Sequence, residues 1–110
     1  LVMAIFIFAC KKTETPTTVD CSGTAPTYTA NAKAILDLHC ATAGCHDAGS
    51  KKDGKDLSTY ATAKTVASAN SFLGSVQQLS GYTKMPEGAS KLSDADIKTL
   101  SCWVQNGMPQ

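Results

Sequence analysis

The stretch Cys40-Ala41-Thr42-Ala43-Gly44-Cys45-His46 limits the possible folds more than any other part of this chain. It holds two thiols and an imidazole, and His46 follows the second Cys directly. That order suits covalent attachment of a haem. Each thiol adds across one porphyrin vinyl group, and the adjacent His reaches the iron from the same face. The usual spacing for this chemistry is C-x-x-C-H. Here four residues separate the two Cys, giving a lengthened C-x4-C-H form. Ala41, Thr42, Ala43 and Gly44 are small, so a longer loop can bulge beside a porphyrin edge without a clash.

Met85 lies thirty-nine residues beyond His46, in Lys84-Met85-Pro86-Glu87-Gly88. A thioether sulfur completes His/Met coordination in many electron-carrying haem proteins and raises their potential. Pro86 biases Met85 away from helix, which suits a stiff loop presenting one side chain inward. With these residues the chain resembles a small bacterial class I c-type cytochrome, over roughly residues 27 to 110. The matching elements are the Cys40–His46 loop, Asp56-Leu57-Ser58-Thr59-Tyr60, Gly81-Tyr82-Thr83-Lys84-Met85-Pro86, and Leu92-Ser93-Asp94-Ala95-Asp96-Ile97 leading into a Trp103 helix. The departures are the widened Cys spacing and the short run from His46 to Met85.

The resemblance implies an all-α, cytochrome c-like bundle of about four short helices around one covalent haem c. Cys40 and Cys45 would carry the haem, with His46 and Met85 as axial ligands. Leu57, Tyr82, Pro86 and Trp103 would line the pocket, Tyr82 either hydrogen-bonding or simply packing. The implied function is one-electron transfer with a redox partner protein or enzyme, by a monomer that is not itself an enzyme.

The amino terminus carries a different signal. Leu1 to Ala9 is uninterrupted and apolar, and Cys10-Lys11-Lys12 changes character abruptly. Nine residues are too few to span a bilayer as a helix, which needs about 20. The stretch reads as a truncated lipoprotein signal over residues 1–9, with Cys10 as the lipidated residue. The competing reading is a buried strand with an ordinary core Cys. Residues 10–26 then form a tether: Thr13 to Asp20 has four Thr, one Pro, one Val and two acids, and no apolar face. Fully extended, residues 11 to 20 reach about 33 Å. The expectation is an exported protein, lipid-anchored to a membrane on the periplasmic side or in the cell envelope.

Five cysteines suit an oxidising compartment. With Cys10 assigned to lipid and Cys40 and Cys45 to haem, Cys21 and Cys102 remain, as a disulfide pair or as two unrelated thiols. Net charge is +1, and all ten basic residues are Lys, so no basic field argues for nucleic acid. Lys51, Lys52 and Lys55 read as a solvated loop interleaved with Asp47, Asp53 and Asp56; the alternative is a patch steering an acidic partner.

No useful period-2 alternation occurs, so the residue pattern itself predicts an all-α fold. Ala32, Ile35, Leu36 and His39 make one face of a helix over Ala30 to His39, delivering Cys40 from its end. His39 is a rival ligand by type but lacks adjacency to the second Cys, and a helix-end role suits it better. Ser58 caps an expected helix over Thr59 to Ala69, and Phe72, Leu73, Val76 and Leu79 mark another short helix. The last helix has Ser93 as N-cap, a Leu92/Ile97 staple, an apolar face of Ile97, Leu100, Trp103 and Val104, and Gly107 as its stop. Three Phe, three Tyr and one Trp make a thin core, which a haem among Ile35, Leu36, Leu57, Phe72, Leu73 and Leu100 would complete.

Two other readings stay open. Cys40, Cys45 and His46 with His39 or Cys21 are the raw material of a structural zinc site, although no second compact ligand pair is present. Alternatively, Cys40–Cys45 and Cys21–Cys102 bridges would staple a haem-free binding module. No Ser/His/Asp grouping, Gly-rich phosphate loop or paired carboxylates argue for an enzyme.

Overall fold

Thr27 starts the first helical segment, its hydroxyl oxygen accepting from the Ala30 N–H at 3.2 Å. In the computed structural model, which describes residues 13–23 and 25–110, this cap opens on a wide turn over Tyr28–Ala32. The turn runs into α1, Lys33–His39. Ala32 and Leu36 are fully buried and Ile35 packs beside them, as the i, i+3, i+4 spacing requires. The Cys40 and Ala41 N–H groups both donate to Leu36 O, at 2.9 and 2.8 Å, so the Cys40–His46 loop starts from the helix end.

The remaining helices are α2 (Tyr60–Ala67), α3 (Asn70–Val76) and α4 (Asp94–Gln105). No strand occurs among the described residues; the fold is all-α. The cap of α2 is Thr59 rather than Ser58. Thr59 and Thr62 exchange side-chain and backbone hydrogen bonds in a capping box, while the Ser58 hydroxyl donates to Asp56 at 2.6 Å. Helix α3 stops at Val76, short of Leu79, because Gln78 turns left-handed at φ 55°. In α4 the Ser93 hydroxyl oxygen accepts from the Asp96 N–H at 3.1 Å. Gly107 takes φ 85°, and the Gly107 and Met108 N–H groups donate to Val104 O and Trp103 O, closing a Schellman motif.

The aromatic core gathers where the Tyr28 turn meets α4. Tyr28 lies 5.2 Å from Tyr60 and 6.0 Å from Trp103 between ring centroids. The chain end is drawn across them: Trp103 Nε1–H and the Tyr28 N–H donate to Pro109 O, and the Tyr60 hydroxyl donates to Met108 O. The Tyr28 hydroxyl is buried without a partner.

Residues 13–20, expected to be a free tether, are laid along the domain. Gln77 accepts from the Thr17 N–H and donates to Thr17 O; Gln105 does the same with Val19. Each side-chain amide thus stands in for a neighbouring strand. Glu14 and Ser80 exchange two further bonds, and Thr13 sits against Gly81. Beyond this strap Cys21 and Cys102 are bonded across a Cα separation of 5.5 Å. Cys10 and the apolar residues before it lie outside the described residues, as do Lys11, Lys12 and Thr24.

Candidate haem cavity

The loop after α1 closes on itself. The His46 N–H donates to Cys40 O at 3.1 Å, and the Cys45 N–H to Thr42 O at 3.0 Å. Gly44 takes a left-handed φ of 81° within it, and its N–H donates to the Ser50 hydroxyl. The four residues between the cysteines are thereby folded into a compact turn. Cys40, Cys45 and His46 all face one cavity of about 670 Å³, a size that suits a large organic ligand.

His46 is 8% exposed, and its Nδ1 lies 3.0 Å from Lys55 O. A carbonyl oxygen can only accept, so Nδ1 carries a proton, and in the neutral ring the lone pair is on Nε2. Such a second hydrogen bond orients a ligating His and raises its basicity. The Leu57 N–H donates to His46 O at 2.8 Å, which ties the next stretch of wall to the same loop.

Leu57 also lines the cavity, with Phe72 and Val76 from α3. The loop after α3 supplies Tyr82, Met85 and Pro86. The Met85–Pro86 peptide bond is cis. Thiols, imidazole, thioether and apolar wall therefore meet in one space, and this donor set fits a covalently held haem. Lys52 and Glu87 pair at 3.3 Å, joining the loop of His46 to the loop of Met85. Both are well exposed, so the pair contributes at most about 1 kcal/mol. Lys55 pairs with Asp53 at 2.6 Å.

Trp103 does not reach the cavity wall. It is fully buried against Tyr28, with its indole N–H donating to Pro109 O. Of the apolar residues expected around a haem, Ile35, Leu36, Leu73 and Leu100 likewise belong to the core between helices and not to the wall. His39 does line the cavity, with Nε2 3.8 Å from Asp96 on α4. It is also the last residue of α1, the helix-end place that its spacing indicated.

Cys40 and Cys45 are free thiols, not the bridge expected of a haem-free module. Burial, and next the proximity of Cys45, push the Cys40 thiol up to about 11. Among the described residues no three His, Cys, Asp or Glu side chains converge to hold a metal ion. No helix among them is long and apolar enough to cross a membrane. Comparison with known proteins gives no match: no family model, curated protein or solved structure is similar to this chain.

Proposed function

We propose that this protein is a one-electron carrier holding one covalent haem c in the cavity, with His46 and Met85 as axial ligands. The observation that carries the reading is the shared cavity itself. Two thiols, a Nδ1-anchored imidazole and a thioether from a loop 39 residues away line the same space. A bound haem would supply a reversible Fe(II)/Fe(III) couple.

The chain's own residues do the rest. Cys40 and Cys45 would hold the group through thioethers, each thiol adding across one vinyl group. Lys55 O fixes the His46 tautomer so that its free nitrogen is the ligand. The Met85 thioether, which lines the same cavity, would be the second protein ligand and would raise the potential. Leu57, Phe72 and Val76 exclude water from one stretch of wall, which disfavours the more charged oxidised state. With His46 and Met85 both committed to the group, small ligands would be kept out, which suits electron transfer.

The Cys21–Cys102 bond supports an oxidising compartment outside the cytoplasm, and the Ala9-Cys10 signal supports a lipid anchor there. The same disulfide suits a haem-free binding module, the second reading, which uses the cavity for an organic ligand.

The test is an absorption spectrum, oxidised and dithionite-reduced, of protein made with a cytochrome c maturation system. A sharp reduced α-band, with colour retained through acid–acetone extraction, is expected. Met85→Ala should lose the weak sulfur-to-iron band at the red edge, lower the potential and admit imidazole. An unchanged Met85→Ala spectrum removes Met85 from the ligand set. A colourless protein from a competent host rejects the haem and leaves the binding module.

A further inference from the structure

The Met85 loop is held at both of its backbone groups by one short stretch of α3 and the turn after it. The Met85 N–H donates to Ser75 O at 3.1 Å, and Met85 O accepts from Gln78 Nε2 at 3.3 Å. The Tyr82 ring lies over Gly74 so closely that a Cβ there would stand 2.6 Å from it. The Leu79 N–H donates to Gly74 O, closing the turn that carries Gln78.

Gln78 is the unusual member. Its φ is 55°, a left-handed value that favours Gly over a residue with a side chain. Backbone geometry alone therefore argues against Gln at this position. The side chain present there is directed to Met85 O, the one hydrogen-bond acceptor that the main chain of Met85 offers.

We infer that Gln78 is a positioning residue for Met85, holding the thioether loop against α3 so that the sulfur stays at the cavity wall. The inference rests on the reading of the cavity as a haem site with Met85 as a ligand. Gln78 acts only through Met85. Freed of the amide, the loop gains conformations in which the sulfur leaves the cavity, and a competing ligand meets less resistance. A net hydrogen bond to a neutral group corresponds to about three- to tenfold in such an equilibrium.

The experiment uses the holo-protein and imidazole as the competing ligand. Gln78→Gly removes the amide and relieves the left-handed backbone; Gln78→Glu keeps the shape but, once ionised, has no N–H to donate. Both variants should keep covalent haem and bind imidazole about three- to tenfold more tightly than the parent. The red-edge sulfur band should weaken in parallel, and Gln78→Gly should do so without a fall in melting temperature. A merely structural role would instead lower the melting temperature of Gln78→Glu and leave imidazole affinity alone. Parental imidazole affinity in both variants overturns the inference while leaving the haem reading intact. A parent without covalent haem, or one whose imidazole affinity Met85→Ala does not change, overturns both.

Discussion

Cys40 is the residue whose chemistry separates the two readings of the cavity. As a free thiol it is held up to about 11, from an ordinary 9.0, chiefly because burial disfavours the thiolate. Only the thiolate is a nucleophile, so at any pH below 9 the folded protein presents about a hundredfold less reactive Cys40 than an unfolded chain. Iodoacetamide labelling of a colourless protein at pH 8 should therefore modify Cys40 about a hundredfold more slowly when folded than in denaturant. A haem-loaded protein should show no labelling of Cys40 or Cys45 even when denatured, because a thioether has no S–H to lose. The raised value also fixes the sign of a stability effect in the thiol form. The unfolded chain ionises first, so stability is complete below pH 9 and declines as pH rises toward 11. The decline is on the order of 2 kcal/mol, for a sulfur that keeps some contact with water. A flat urea midpoint between pH 8.5 and 11 would show that Cys40 is not shielded.

At the scale of elements, local chemistry was readable; of the distant pairings, Cys21–Cys102 stood as one of two alternatives and the amide pairs of the strap had no signal. Ser93 and Gly107 bracket α4 as the spacing indicates, because a cap and a stop involve residues within a few positions of each other. Ser93→Ala should cost about 1 kcal/mol, seen as a fall of about 4–8 °C in melting temperature for a domain of this size. An unchanged melting temperature would show that the Asp96 N–H finds water as good a partner. The Ser58/Thr59 exchange shows how fine the local signal is. Two adjacent hydroxyls both qualify as caps, and Asp56, two residues upstream, claims Ser58. The strap had no such signal. Gln77 pairs with Thr17 across 60 positions and Gln105 with Val19 across 86, so a Thr-rich stretch without an apolar face reads as free chain. The cavity lay between these cases. The Cys40–His46 and Met85 motifs indicated its chemistry. Its wall, however, excludes Trp103 and includes His39, because packing between helices decides which face of a residue meets empty space.

Over the whole molecule, stability draws on core packing and on a long-range covalent bond. The cluster of Tyr28, Tyr60 and Trp103 holds the start of the domain to its end, and Leu57, Phe72 and Val76 of the cavity wall belong to the same buried core. The Cys21–Cys102 bond joins the strap to α4 over 81 positions of sequence, and a loop of that length restricts the unfolded chain strongly. Chain-entropy reasoning gives between about 4 and 5 kcal/mol for such a loop, and measured bridges typically contribute about 2–4. The Cys21→Ser/Cys102→Ser variant should therefore melt at least about 10 °C lower than the parent. It should also free the strap before the rest of the fold, since Gln77 and Gln105 alone then hold residues 17 and 19. Hydrogen exchange should show the Thr17 and Val19 amides losing protection while those of Leu100 and Trp103 keep theirs. Equal loss at all four would mean that strap and bundle unfold as one unit, making the amide pairs part of the core's cooperativity. No loss at any of them, with the melting temperature unchanged, would mean that the bond does not form in solution.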